Sequence, residues 1–399
     1  MNNTKETKSL NYEILKNAIT GPAAAFRSRT RLQPAGGEGD KVFPPTYAGA
    51  VYAKEDRQIN GVKVPCVLLD SVQSQANRLE EALQRALDTG ILKDVPVLNV
   101  DFTGLGLLDE IGRVTSLEAP HRIADAILRD SLHDGQLFRK SELGKSLDQA
   151  SLQNATPLYK LCPTALVFGL WDSTGPKGGL GAKFQRAFVS EIIGVNAEIG
   201  VKTSSRIDPL GMRAAAKVVK KSDGSYELAG DKAKDGVSPS EVNHGNIPPN
   251  ITTGGATIDY AEQTAVLSLP ALRKLRFPVN GKTTPERDAA AQTVLAALAL
   301  TAAALAAESG FDLRSRCLLW PTDVMKWELL ETPGKAPSEF AITVKDSIRL
   351  LEEALVTAEK LGLVWQKDPV KLTPSPNLLA LLKRSQDISA RTPADAAAE

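Results

Sequence analysis

An alanine-rich apolar segment constrains the fold of this chain more than any other feature. Residues 289–307 read AAAQTVLAALALTAAALAA, which approaches the length of a membrane-spanning helix. However, the segment contains Gln292, Thr293 and Thr301, and charged residues flank it. Alanine favours helix strongly, and its small side chain lets neighbouring elements approach closely. The segment therefore predicts a helix buried inside a protein body rather than a membrane span.

The composition bounds the body that surrounds this helix. The chain has 399 residues, of which 42% are hydrophobic, and at about 150 residues per domain it could form two or three domains or one large body with insertions. The 48 Lys and Arg residues nearly cancel the 47 Asp and Glu residues. Overall basicity is therefore no evidence for nucleic-acid binding, and a bound polyanion would require locally clustered basic side chains.

The cysteines and the N-terminus bound the cellular setting. Cys66, Cys162 and Cys317 lie far apart among apolar neighbours, which favours buried thiols in a reducing compartment over a disulfide framework or a zinc site. The polar N-terminal segment lacks the apolar core of a signal peptide. We expect a cytoplasmic protein that uses no metal, no cofactor and no membrane.

Hydrophobic periodicity predicts an α+β protein, because strands and helices interleave without a regular βαβ order. We predict a hairpin over residues 217–228 and a long Gly/Pro/Asn-rich loop over residues 231–255. The predicted strands are residues 62–69, 95–102, 164–171 and 257–269, and the predicted helices are residues 72–87, 116–132, 182–194 and 345–360.

Two predicted strands carry arginines on one face. In residues 23–32, Arg27, Arg29 and Arg31 alternate with apolar or small polar residues at the strand period of two. Residues 313–320 place Arg314 and Arg316 in the same way. Such a face is either solvated or a platform for a polyanion. Residues 201–221 and 271–282 are further basic clusters.

The glycine-rich turn at residues 175–181, GPKGGLG, joins a predicted strand to a predicted helix. Backbone N–H groups in such a turn, together with a helix N-terminus, can bind a phosphate. The turn matches neither the P-loop nor the GxGxxG fingerprint. Residues 173–190 contain Lys177, Lys183 and Arg186 and no acidic residue. A phosphate-contacting loop and a plain tight turn both remain open.

Signals for catalysis are weak, because no GxSxG, HExxH or paired-histidine motif is present. Glu118 and His121 could act as acid and base, although a structural or RNA-contacting role for His121 is favoured. The amides after residue 70, among them Gln73 and Asn77, suit sugar or phosphate contacts or a solvated helix end. The three histidines are His121, His133 and His244.

Several blocks along the chain resemble one protein family. They are RLQPAGGEGDKVFPPTY, LLDSVQSQANRLEEAL, TSLEAPHRIADAILRDS, ALVFGLWDSTGPKGGLGAKFQRAFVSEIIG, SRIDPLG and DLRSRCLLWP. Together they resemble the RAMP proteins of the type I-G (formerly I-U) CRISPR system, the backbone subunits of its Cascade complex. The resemblance runs over about residues 31–321.

The resemblance implies an RNA-recognition-like, ferredoxin-like palm with inserted thumb and finger elements. The residues of the two ends predict a flexible lead-in over residues 1–20 and a disordered tail over residues 389–399, and between them the resemblance implies a single RAMP body over residues 21–388. Within the body, it implies a finger-type loop near residues 33–60 and a thumb-type insertion near residues 201–256.

The resemblance also implies a function. Identical subunits would form a helical filament along one CRISPR RNA, together with other Cascade subunits. They would present the guide for pairing with a target DNA strand. A separate helicase-nuclease would cut the target, so this subunit is expected not to be an enzyme. The alternative is a RAMP-type endoribonuclease that processes precursor CRISPR RNA through Glu118 and His121. A third reading is a metabolic α+β enzyme with a phosphate-binding turn.

The residues expected to contact RNA combine these signals. Aromatic residues make up only 5% of the chain and the RNP1 signature is absent, which favours a grip on phosphates over base stacking. The expected thumb contacts are His244, Asn246 and Ile247. The expected RNA-binding residues are Arg27, Arg29, Arg31, Lys41, Gln73, Asn77, Arg78, His121, Arg122, Lys177, Gly178, Gly179, Gly181, Lys183, Arg186, Arg206, Arg314 and Arg316.

Overall fold

The computed structural model describes residues 8–173, 183–221, 224–230 and 236–391. Its α-helices are α1 (Tyr12–Thr20), α2 (Val72–Asp88), α3 (Ala126–Arg129), α4 (Glu142–Asp148), α5 (Thr156–Leu161), α6 (Thr164–Phe168), α7 (Leu269–Arg273), α8 (Pro285–Ala307), α9 (Val344–Lys360) and α10 (Pro376–Arg391). Helices and strands alternate irregularly, as the predicted α+β class requires.

The strands of the described residues follow the same chain order. They are β1 (Lys8–Ser9), β2 (Ala25–Pro34), β3 (Thr46–Tyr47), β4 (Val51–Tyr52), β5 (Lys54–Ile59), β6 (Val62–Asp70), β7 (Leu98–Asp101), β8 (Arg113–Thr115), β9 (Ser131–His133), β10 (Gln136–Leu137), β11 (Leu170–Trp171), β12 (Lys183–Phe184), β13 (Phe188–Val195), β14 (Glu198–Arg206), β15 (Val218–Lys220), β16 (Tyr226–Leu228), β17 (Ile247–Thr257), β18 (Tyr260–Ser268), β19 (Phe311–Arg314), β20 (Cys317–Pro321), β21 (Lys326–Leu330), β22 (Ser338–Ala341) and β23 (Val370–Pro374).

The chain forms two compact units. The first unit comprises Met1–Ala197 and Ile258–Ser375, and the second comprises Glu198–Thr257 and Pro376–Glu399. The internal part of the second unit begins slightly before the insertion expected near residues 201–256. In addition, α10 belongs to this second unit, which the sequence did not indicate.

Helix α8 is the core of the first unit. Every residue from Val294 to Ala302 is fully buried, and the helix packs against α1, α2, α6, α7 and α9. Thr293 and Thr301 satisfy their hydroxyls by donating to carbonyls four residues earlier, at 2.7 and 2.9 Å. Within the described residues, α8 is the one helix long and apolar enough to span a membrane, and 89% of its most apolar stretch is buried inside the protein. The predicted core helix is confirmed.

A ten-stranded sheet packs beside these helices. Eight strands follow the order β1-β22-β21-β2-β18-β13-β6-β5, and β20 joins β2 to β19. The pairing is antiparallel apart from that of β1 with β22. Strand β2 buries Phe26, Ser28, Thr30 and Leu32 and turns its arginines outward, so the predicted alternation of this strand is confirmed.

Smaller sheets complete the two units. In the first unit, a five-stranded sheet follows the order β10-β9-β23-β7-β8, and β11 pairs with β12 and β3 with β4. In the second unit, β14 pairs with β17 and β15 pairs with β16. The pairing of β15 with β16 confirms the predicted hairpin over residues 217–228, whose tip at residues 222–223 lies outside the described residues.

The region around the glycine-rich turn differs most from its prediction. The predicted strand over residues 164–171 is helix α6 followed by β11, and the predicted helix over residues 182–194 is the strands β12 and β13. Strand β13 pairs with β18 on one side and with β6 on the other. This pairing across the chain outweighs local helix propensity, since β-branched Val189, Ile192 and Ile193 suit a strand.

Two other predicted elements are broken by backbone geometry. The predicted helix over residues 116–132 is replaced by a 3-10 turn and α3, with Arg122 in the left-handed region at φ 54°. The Thr115 N–H donates to the Glu118 carboxylate at 2.7 Å, and this hydrogen bond closes a turn instead of starting a helix. The predicted strand over residues 313–320 is the β19–β20 hairpin, with Arg316 in its turn at φ 59°.

The ends and the long loops also differ from expectation. Most of the expected flexible lead-in is β1 and α1, whose Tyr12, Leu15 and Ile19 are buried, while residues 1–7 lie outside the described residues. Of the expected disordered tail, residues 389–391 end α10 and the remainder lies outside the described residues. The expected finger-type loop near residues 33–60 includes β3, β4 and β5, and the expected loop over residues 231–255 includes most of β17.

Candidate functional site

A cavity of about 940 Å³ lies in the first unit. Its wall is formed by the first turns of α2, the segment from residue 120 to 129, the β11–β12 ribbon and the end of α7. Six residues predicted from sequence meet there although they come from three separate segments. They are Gln73, Asn77, His121, Arg122, Lys183 and Arg186.

The charge of this cavity has one sign. Five charged side chains line it, and all five are basic: Arg122, Arg129, Lys183, Arg186 and Lys274. No Asp or Glu lines it among the residues that the structure describes. A concave site lined by one sign of charge concentrates the electrostatic field and attracts oppositely charged ligands. We call this site the basic cavity.

Internal partners neutralise two of the five basic residues. Arg129 binds both carboxylate oxygens of Asp130 at 2.8 Å, and Arg122 pairs with Glu80. For Lys183, Arg186 and Lys274, the described part of the chain offers no ion-pair partner. Lys274 donates to the Gln185 side-chain oxygen at 3.3 Å, and the Lys183 ammonium lies 5.5 Å from the centroid of the Trp171 ring. These three residues carry the net positive charge of the cavity.

Arg186 experiences an unfavourable environment for a cation. Its partial burial and the neighbouring Arg122 guanidinium both lower its pKa. A positive charge that is desolvated and faces another cation is stabilised when an anion binds beside it. The arrangement around Arg186 therefore favours a phosphate or carboxylate ligand.

The Glu80–Arg122 pair forms the buried wall behind these residues. Both side chains are almost fully buried, and the guanidinium contacts the two carboxylate oxygens at 2.7 Å each. Arg122 also donates to the Gly169 carbonyl at 3.2 Å. Full burial outweighs the attraction to Arg122 and raises the pKa of Glu80 to about 7. Arg122 was expected to contact RNA, and its Nε and Nη1 atoms donate to Glu80 and to the Gly169 carbonyl, so it also holds the cavity wall in place.

Gly169 is the point where this wall tolerates no side chain. Its φ is 90°, and an added Cβ would lie 2.9 Å from the Arg186 Cγ atom. We expect Gly169→Ala to cost clearly more unfolding free energy than Gly61→Ala, and to weaken anion binding by displacing Arg186. Gly61 has φ 81° with open space around it, so its substitution should cost only the backbone strain of about 1–2 kcal/mol. Equal losses in urea denaturation would contradict the close approach.

The arginine face of β2 is exposed but carries its own acidic partners. Arg27 pairs with Glu328 at 2.7 Å and Arg29 with Glu262 at 2.8 Å. The Arg31 guanidinium lies 3.8 Å from the centroid of the Tyr260 ring. The shallow depression at this face holds four basic and three acidic residues, so it attracts anions less strongly than the basic cavity.

Two other residues that were expected to contact RNA, Arg78 and Arg314, form ion pairs with a buried carboxylate. Asp70 is 1% exposed and binds Arg78 at 3.0 Å and Arg314 at 3.4 Å. Arg78 also donates to the carbonyls of residues 312 and 313. These arginines tie β6 and α2 to β19. The Arg316 guanidinium lies 4.5 Å from the Phe43 ring centroid, and Lys41 lies in the loop after β2.

The predicted residues of the second unit form a separate group. Asn246 accepts from the Asp208 N–H at 2.7 Å, and the His244 and Tyr226 rings lie 5.8 Å apart. Arg206 is opposite Ile247 in the β14–β17 ladder. Backbone N–H groups, chiefly that of Met212, donate to the Asp208 carboxylate and lower its pKa. His244 and Asn246 therefore make contacts that stabilise the unit itself.

The glycine-rich turn cannot be placed in the site. Lys177, Gly178, Gly179 and Gly181 lie outside the described residues. The helix that was predicted to follow the turn and to add its dipole is a strand, so one premise of the phosphate-loop prediction is wrong. Ser173 and Lys183, which flank the turn, both line the basic cavity.

The lining residues that were not predicted from sequence include Arg129, Trp171, Gln185 and Lys274. Lys274 lies in the basic cluster over residues 271–282, which was a usable signal. Arg129 and Trp171 were placed on elements that do not exist as predicted, so the direction of their side chains could not be inferred.

Cys66, Cys162 and Cys317 are free and buried as predicted. Over the described residues, no group of three or more His, Cys, Asp or Glu side chains could hold a metal ion.

Comparison with known proteins gives a family match over part of the chain. Residues 26–199 match the model of a family described as CRISPR-associated protein GSU0053. No curated protein matches the chain. Among solved structures, the crystal structure of Thermofilum pendens Csc2 is similar at 14% identity, over 94% of this chain and 89% of that one, with a TM-score of 0.26. At that TM-score, the structural likeness supports no argument about fold or function.

Proposed function

We propose that this chain is a non-catalytic, RNA-binding subunit of a CRISPR effector complex and that it grips the phosphates of a guide RNA in the basic cavity. One observation carries the proposal: Lys183, Arg186 and Lys274 converge on a cavity that no acidic residue lines within the described part of the chain. The match of residues 26–199 to a CRISPR-associated family supports the biological setting. The sequence resemblance supports the finer assignment, a type I-G backbone subunit that assembles along the guide with copies of itself and other Cascade subunits.

The charge distribution supports a grip on phosphates. Single-stranded RNA presents regularly spaced negative charges, and each one that a lysine or arginine neutralises releases counterions. The basic cavity provides three cations that have no ion-pair partner in the described part of the chain, whereas the β2 face provides arginines that are already balanced by Glu262 and Glu328. Guide contact at the cavity should therefore dominate the salt dependence of binding.

The proposal is tested by measuring RNA affinity against salt concentration. We expect the triple variant Lys183→Gln, Arg186→Gln and Lys274→Gln to reduce the slope of log K against log salt by about 2, since each phosphate contact contributes roughly 0.7 on a single strand. The matched control replaces Arg27, Arg29 and Arg31 with Gln and should change the slope less. If only the control variant flattened the slope, the guide would lie on β2 and not in the cavity.

A cleavage assay separates this proposal from an RNA-processing enzyme. His121 lines the basic cavity, whereas Glu118 accepts a hydrogen bond from the Thr115 backbone and is absent from the described lining. We expect purified protein to leave repeat-containing RNA intact. Cleavage that His121→Ala abolished would overturn the non-catalytic assignment and favour a RAMP-type endoribonuclease.

A further inference from the structure

Trp171 stands out among the residues of the basic cavity because it is a large aromatic side chain left open to solvent. It is 60% exposed, whereas Trp327 and Trp365 are 1% and 4% exposed. An exposed tryptophan on a cationic surface is unfavourable without a ligand, since its burial would remove apolar area from water. We propose that Trp171 is a stacking platform for one nucleotide base of the bound strand. This inference rests on the proposed RNA-binding function and adds the subsite that receives a base.

The β11–β12 ribbon explains why Trp171 is exposed on the same face as Lys183. Leu170 is opposite Phe184 and Trp171 is opposite Lys183 in this antiparallel pair. Leu170 and Phe184 are 8% and 4% exposed, so their face of the ribbon packs into the core. Side chains alternate along a strand, and the other face therefore presents Trp171 and Lys183 together.

The surroundings of Trp171 suit a nucleotide better than an uncharged aromatic ligand. The Lys183 ammonium, 5.5 Å from the ring centroid, and Arg186 provide positive charge for the phosphate. Gln73, Asn77 and Gln185 line the same cavity and offer amide donors and acceptors to base edges or ribose hydroxyls. The volume of about 940 Å³ lies within the range of small-molecule sites, so a base with its sugar can be accommodated.

Base stacking differs from phosphate contact in its dependence on salt. Stacking a base on an aromatic ring is insensitive to sequence and adds affinity without neutralising a phosphate. Loss of Trp171 should therefore weaken binding and leave the salt slope intact. Loss of the three cations should also weaken binding, but it should flatten the salt slope. The two contributions can consequently be measured independently on the same protein.

The test uses the full chain and two RNA probes of equal length, an oligoadenylate and an oligomer with the same ribose-phosphate backbone but no bases. We expect the unmodified protein to bind the oligoadenylate roughly fivefold to 150-fold more tightly, the range that one stacked base contributes. We expect Trp171→Leu to remove this preference and to keep the salt slope. Trp171→Phe should retain part of the preference because it retains an aromatic ring.

A matched control is available at Trp320, which is 52% exposed on β20 and does not line the cavity. Trp320→Leu should leave the preference for bases unchanged. If Trp171→Leu kept the full preference, or if the unmodified protein bound both probes equally with a normal salt slope, the stacking platform would be overturned and the phosphate grip would stand. If neither probe bound in a salt-dependent manner, the proposed function would be overturned together with this inference.

Discussion

Glu80→Ala is expected to lower the free energy of unfolding by about 3–5 kcal/mol, the usual cost of leaving one member of a buried ion pair without its partner. Arg122 is 5% exposed and its guanidinium contacts both Glu80 oxygens at 2.7 Å. Without the carboxylate, that cation would stay buried beside Arg186, whose pKa it already lowers. Urea denaturation followed by circular dichroism measures the loss.

The neighbouring Glu81 provides the control for this substitution. Glu81 follows Glu80 directly in α2 and is exposed, so Glu81→Ala should change the unfolding free energy by no more than about 0.5 kcal/mol. Similar losses in the two variants would mean that helix propensity, and not the buried pair, explains the effect. The comparison isolates Arg122 because both substitutions make the same chemical change in one helix.

The same pair predicts how stability depends on pH. Burial raises the pKa of Glu80 from its ordinary value of 4.5 to about 7. Between these two values, the folded chain holds a proton that the unfolded chain has released, so the contribution of Glu80 to the unfolding free energy falls as pH rises. Glu80→Gln cannot titrate and should lack this fall. Parallel stability curves for Glu80→Gln and the unmodified chain across this interval would contradict the assignment.

Phe188→Ala should cost about 3–5 kcal/mol of unfolding free energy, as expected for truncation of a buried phenylalanine. Phe188 is 1% exposed, and its ring lies 6.0 Å from that of Phe168 and 6.1 Å from that of Trp327. This aromatic column joins α6, β13 and β21. Because α6 leads directly through Gly169 into β11, truncation should also loosen the wall of the basic cavity.

Two further variants make this prediction specific. Phe188→Leu preserves most of the volume and should lose less than about 1.5 kcal/mol. Leu318→Ala removes a side chain that is 44% exposed on β20, and it should lose little because that surface is already in contact with water. The unfolding midpoint in urea ranks the three variants. A loss for Leu318→Ala equal to that of Phe188→Ala would show that burial does not set the cost.

Local sequence patterns correctly predicted those helices and strands that keep their local secondary-structure preference when they pack against the rest of the chain. The alanine-rich segment over residues 289–307 is the buried helix α8, and the alternation around Arg27, Arg29 and Arg31 is the exposed face of β2. Both patterns encode burial directly, since a side chain repeats on one face every two residues in a strand and about every 3.6 in a helix. The strand and helix on either side of Ser71 were predicted for the same reason.

Predictions around residues 116–132 and 164–194 were wrong where tertiary pairing decided the outcome. The segment that forms β13 is apolar on both faces, so its period alone does not distinguish helix from strand. Its pairing with β18 and β6 makes it a strand in the middle of the large sheet. The positive φ of Arg122 is likewise set by the buried contact with Glu80 and not by any local preference of arginine.

The sequence by itself determined the buried central helix, the arginine face of β2 and most of the residue types of the candidate site, because each is written in spacing or in local charge. Only the tertiary structure decided which basic residues have an acidic partner that balances their charge. Arg29 meets Glu262 across 233 positions and Arg27 meets Glu328 across 301, whereas Lys183, Arg186 and Lys274 converge on a cavity with no acidic lining residue among those described. Electrostatic attraction depends on distances in space, and sequence separation does not reveal them.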